Sequence, residues 1–134
     1  EEIATHHGDC PSVAYRISYK GAVVVFSGDM DALALPNLTQ LAKHADLLIF
    51  NCAVLDPPGS PSQLYDLHTP PKKIGEAARE SGVKRLLLSH TAPDVQGREA
   101  AVRKSIRANF AGPVEFANDK LREPVVYAVA RTSH

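Results

Sequence analysis

A chain of 134 residues is one domain's worth, long enough to bury a single core. Its 44 % apolar and 22 % charged residues describe an ordinary globular protein, and 15 basic against 15 acidic residues leave no net charge. That balance argues against a generalised phosphate-binding surface, so a nucleic-acid partner is not expected; no apolar run nears the roughly 18–20 residues that span a bilayer.

Val13 to Tyr19 alternates as a strand should, and Lys20-Gly21 turns it into a second strand, Ala22–Phe26, giving a hairpin. Pro36 suits the first turn of a helix to about His44, with Leu38, Leu41 and Ala42 as its apolar stripe. Ala45 to Phe50 is an apolar run short enough for a buried strand. The segment Asp56-Pro57-Pro58-Gly59-Ser60-Pro61-Ser62 is a loop, because proline removes donors and fixes φ. Thr69 then caps a helix from Pro70 to about Ser81, which Gly82 stops.

Val83–Leu88 is the next strand and Ala92–Gly97 a loop. Arg98 to Phe110 is an amphipathic helix whose Arg98, Arg103, Lys104 and Arg107 form a solvated face. Val114–Ala117 and Val125–Ala130 close the chain as strands. A hairpin followed by strands alternating with helices predicts a layered α/β or α+β unit.

Two of these strands each deliver a potential metal ligand at the carboxyl end. Ser27-Gly28-Asp29 follows Ala22–Phe26, and Ser89-His90 follows Val83–Leu88. A carboxylate and an imidazole at strand tips converge at one rim of a sheet, where a hydrolytic dinuclear metal site can be built. His68, beside the helix start, and His7 also sit next to loops, whereas His6, His44 and His134 read as surface residues. Cys52 reads as a small buried residue and Cys10 as a remote metal candidate beside His7 and Asp9. Asp29-Met30-Asp31 superficially matches the nucleophile loop of haloacid-dehalogenase-like phosphatases, but the late strand ends in Ser89-His90 rather than an acidic pair. No G-x-S-x-G elbow marks a serine hydrolase.

The order of segments His6-His7-Gly8-Asp9, Ala14-Tyr15-Arg16-Ile17, Phe26-Ser27-Gly28-Asp29, Ala45-Asp46-Leu47-Leu48-Ile49, Leu67-His68-Thr69 and Leu88-Ser89-His90 resembles the metallo-β-lactamase-fold hydrolases. The resemblance is to the arylsulfatase-like and ribonuclease Z-like (tRNA 3′-processing) branch and covers most of the chain. It implies half of a four-layer αββα sandwich, a mixed sheet with helices on one face. It further implies a dinuclear zinc site in which Asp29 bridges the ions and His90 ligates the second. By the same resemblance His68 assists proton transfer as the catalytic residue, and His7 lines the substrate pocket. Asn51 stands where relatives often carry an acidic residue.

The activity implied is hydrolysis of an ester, phosphodiester or sulfate-ester bond by metal-activated hydroxide. No HxHxDH signature occurs in the chain, so residues 1–134 are expected to form the C-terminal half of the domain without the N-terminal half. One carboxylate and one histidine leave each ion short of about three protein ligands, so this chain alone is expected to bind zinc weakly and to be inactive. The alternative is a catalytically silent fragment or self-associating domain, and a homodimer through the open sheet face is expected. The chain opens on Glu1-Glu2 rather than Met, so the compartment is left undetermined between the cytoplasm and, if a leader was removed, the periplasm.

Overall fold

Both residues of the Lys20-Gly21 turn have positive φ, +48° and +82°, the backbone that a two-residue hairpin with right-twisted strands requires. In the computed structural model, which describes residues 1–125, this turn joins strand β2 (Cys10–Tyr19) to β3 (Ala22–Phe26). A preceding strand, β1 (Glu2–His7), pairs antiparallel with β2 from Glu2↔Tyr15 to His7↔Cys10. Its sequence carries a glutamate and two histidines, and pairing with β2 rather than intrinsic propensity makes it a strand.

The remaining strands are β4 (Leu47–Asn51), β5 (Leu86–Ser89) and β6 (Val114–Phe116). They run parallel to β3, and the sheet order is β1-β2-β3-β4-β5-β6. Each parallel step crosses over through a helix: α1 (Leu35–Leu41), α2 (Pro71–Ser81) and α3 (Glu99–Arg107). A six-stranded mixed sheet with three helices is therefore the architecture. The expected terminal strand Val125–Ala130 lies, beyond Val125, outside the described residues.

Several boundaries differ from the sequence reading. The first helix is preceded by a 3-10 turn, Ala32–Ala34, which Asp31 caps by accepting from Leu33 N–H at 2.9 Å. It ends before His44, whose N–H instead donates to the Ser81 carbonyl at 2.8 Å. A second 3-10 turn, Ser62–Asp66, lies after the proline-rich loop.

Thr69 does not cap α2. Its hydroxyl is buried and donates to the Met30 carbonyl at 2.9 Å, and Pro70 is the N-cap. With prolines at positions 70 and 71, the first free helix donor is the Lys72 N–H, which finds Asp56 Oδ1 at 2.9 Å. The cap thus comes from the proline-rich loop, and Asp56 also accepts from Ser105 of α3. Gly82 stops the helix with φ +65°, as expected. On α3, Arg98, Lys104 and Arg107 are exposed, but Arg103 packs 4.9 Å over the Phe116 ring and donates to the Val114 carbonyl.

Val25, Leu48, Phe50, Leu86 and Leu88 bury one sheet face against Leu38, Ile74, Ala78, Val102 and Ile106 of the helices. Phe50 is fully buried on a central strand, so Phe50→Ala is expected to lower unfolding stability by about 3–5 kcal/mol, read from urea midpoints. Tyr15, Ile17, Tyr19 and Phe26 lie on the opposite face and are 38–66 % exposed. That face is apolar and open. At the carboxyl ends of β3, β4 and β5, the parallel strands finish side by side and form a rim.

Candidate functional site

The rim is built by short polar steps after apolar strands. Ser27 is fully buried just past β3; its N–H donates to the Ile49 carbonyl at 2.9 Å, and its hydroxyl to the Gly28 carbonyl at 2.7 Å. Gly28 follows at φ +62°, and a Cβ there would sit 2.7 Å from the Val13 carbonyl oxygen, so only glycine makes the turn. Asp29 leaves the strand axis at that turn, and Ser12 holds its carbonyl.

Asn51, the last residue of β4, donates from Nδ2 to Asp29 Oδ1 at 2.7 Å. Ser89, the last residue of β5, donates its hydroxyl to Asn51 Oδ1 at 2.8 Å. His90 comes next with φ +51°, a left-handed conformation that costs a non-glycine residue about 1–2 kcal/mol. Such strain concentrates at functional positions. The turn brings His90 Nε2 to 3.6 Å from Asp29 Oδ1.

His68 reaches the same rim from the segment after the second 3-10 turn, its N–H donating to the Leu64 carbonyl at 2.8 Å. The Thr69–Met30 hydrogen bond joins the neighbour of His68 to the neighbour of Asp29. The His68 ring lies 5.9 Å from that of His90 and 5.3 Å from that of His7, centre to centre. All four sequence candidates, Asp29, His90, His68 and His7, therefore share one rim.

Burial holds the His68 imidazole below its ordinary pKa; Asp29 opposes the shift, while His7 and His90 add to it. His68 Nδ1 and His7 Nε2 are buried without a hydrogen-bond partner among the described residues. Cys52 is fully buried, and burial with the nearby Asp56 charge pushes its thiol up to about 12; Cys10 is exposed. His6 and His44 are exposed as expected, but His6 also hydrogen-bonds the buried Asp31 carboxylate, a contact linking β1 to the segment after Asp29.

Among the described residues, no group of three or more His, Cys, Asp or Glu side chains is arranged to hold a metal ion. Two of them nevertheless suit a shared ion. Nitrogen and oxygen ligands of one tetrahedral zinc lie about 3.3 Å apart, close to the 3.6 Å between Asp29 Oδ1 and His90 Nε2. The unpartnered imidazole nitrogens of His68 and His7 leave further donor capacity beside that pair.

No protein-family model matches the chain. It is 29 % identical over 126 residues to ribonuclease Z of Mycobacterium bovis (strain BCG / Pasteur 1173P2), covering 90 % of this chain and 44 % of that protein. Ribonuclease Z of Mycobacterium avium (strain 104) is 30 % identical with the same coverage. The metallo-β-lactamase-fold protein YhfI of Bacillus subtilis superposes with a TM-score of 0.72 at 26 % identity, over 90 % of this chain and 46 % of that one. The chain has the metallo-β-lactamase fold and is ribonuclease Z-like. Human tRNase Z, short form, shares that fold with a TM-score of 0.68 at 20 % identity, over 93 % of this chain and 42 % of that one. The ribonuclease Z-like chain thus spans about half the length of the curated relatives it matches, in keeping with a half domain.

Proposed function

We propose that this chain supplies part of the active site of a metal-dependent phosphodiester hydrolase. The observation that carries the proposal is the convergence of Asp29, His90 and His68 at one rim, with the first two 3.6 Å apart. Asp29 and His90 would hold zinc, with further ligands needed to complete its coordination. Zinc bound there supplies a Lewis acid that activates water near neutral pH and polarises the scissile phosphoryl oxygen. His68, whose imidazole burial holds below its ordinary pKa, assists proton transfer beside the Asp29–His90 pair. His7 lines the substrate side of the rim beside it.

Similarity to ribonuclease Z supports RNA as the substrate, against the expectation drawn from net charge. A neutral domain can still act on RNA when the active site, rather than a broad basic surface, provides the contact. The test is turnover by the zinc-loaded full-length protein of a tRNA precursor, bis(p-nitrophenyl) phosphate and p-nitrophenyl sulfate. Hydrolysis of the first two, lost on chelation, is expected. Turnover of the sulfate ester alone would overturn the assignment.

Residues 1–134 by themselves are expected to bind zinc weakly or not at all in calorimetric titration, because two ligands leave an ion half coordinated. Tight uptake of two zinc ions by the isolated monomer would contradict this. The open face carrying Tyr15, Ile17, Tyr19 and Phe26 is proposed to meet the rest of the sandwich, or a second copy when the chain is alone. Sedimentation should show a two-fold dimer of the isolated chain, burying on the order of 1,000 Å² or more. A stable monomer at high concentration would count against that role for the face.

A further inference from the structure

We propose that Asn51 is a positioning residue that fixes the Asp29 carboxylate for metal binding, with Ser89 setting the direction of its amide. This deepens the metal-site reading above and rests on it. Three strand tips are linked in series: Ser89 Oγ donates to Asn51 Oδ1 at 2.8 Å, and Asn51 Nδ2 donates to Asp29 Oδ1 at 2.7 Å. The backbone locks the same unit, because Asn51 N–H donates to Ser27 Oγ at 3.1 Å and Cys52 N–H to the Ser89 carbonyl at 2.8 Å.

The chemistry allows only one orientation of the amide. A carboxylate has no proton to give, so the NH₂ group must face Asp29, and the amide oxygen then faces the Ser89 hydroxyl. Rotation of the amide would set two acceptors against each other at Asp29. An acidic residue at position 51 would do the same and add a second negative charge beside Asp29. Asparagine instead occupies one lone pair of Oδ1 with a neutral donor.

Asp29 Oδ2 has no hydrogen-bond partner among the described residues, and the side chain is 34 % exposed, so that oxygen retains its capacity for a ligand. Outer hydrogen bonds of this kind orient metal-binding side chains, and their loss costs about 10–100-fold in metal affinity.

The test uses the full-length protein, with zinc affinity read by competition against a chromophoric chelator. Asn51→Leu, close in size but without a donor, should weaken zinc binding about 10–100-fold. Ser89→Ala should weaken it less, and the double variant no more than Asn51→Leu, because Ser89 acts only through Asn51. Unchanged zinc affinity in Asn51→Leu, with only a lower Tm, would reduce Asn51 to a cross-link between strands and overturn the proposal. A second readout needs no metal: the Asn51 side-chain amide resonances of the zinc-free protein should shift in Asp29→Ala. If the wild type takes up no zinc, the metal-site reading fails on its own terms. The amide resonances then decide the positioning contact: a shift sustains it, and no shift removes it.

Discussion

Asp29→Ala in the full-length protein should abolish hydrolysis and lower the zinc content together. If Asp29 is a metal ligand as proposed, its removal takes away both a ligand and the water activation that the metal would supply. The fold should survive the change. Within the described residues the side chain bonds only Asn51 and lies near His90, and losing one such hydrogen bond costs about 1 kcal/mol. Asp29→Asn sharpens the result, because its amide oxygen can still accept from Asn51 while the charge that binds metal is gone. Metal analysis and turnover of both variants check the expectation. Full zinc content in an inactive Asp29→Ala protein would remove Asp29 from the ligand set.

His68→Ala should divide the two readouts. Turnover should fall by about 10²–10⁴, the usual loss for a general acid or base, while zinc stays bound. The structural reason is its place at the rim: the His68 ring stands 5.9 Å from that of His90, beside the Asp29–His90 pair rather than within it. Its backbone is held by Leu64 and by the Thr69–Met30 hydrogen bond, so truncating the ring leaves the segment in place. Equal loss of zinc in His68→Ala and Asp29→Ala would reassign His68 as a ligand.

The strand tips were legible because Asp29 and His90 each end an apolar run, and parallel strands of one sheet finish at one edge. The hairpin could be read from Lys20-Gly21, and the end of α2 from Gly82. What remained hidden depends on partners distant in sequence. Thr69 looks like a helix cap locally, yet the flanking prolines leave that role to Asp56, and the Thr69 hydroxyl turns to Met30. Strand β1 is legible only once β2 is present to pair with it.

Asn51 stood out in the sequence as a departure from relatives, but its role required the register of β3 against β4. Phe26 pairs with Ile49, so Asn51 falls level with the turn that releases Asp29. His6 reads as a surface residue and is exposed, but its bond to buried Asp31 could not be anticipated without the β1 pairing.

The central claim is that Asp29 and His90 bind metal in a hydrolase, and anomalous diffraction at the zinc edge tests it most directly. Crystals of the zinc-loaded, active full-length protein should show a peak about 2.0–2.2 Å from both a carboxylate oxygen of Asp29 and a ring nitrogen of His90. An active protein whose zinc peaks lie away from both residues would contradict the account.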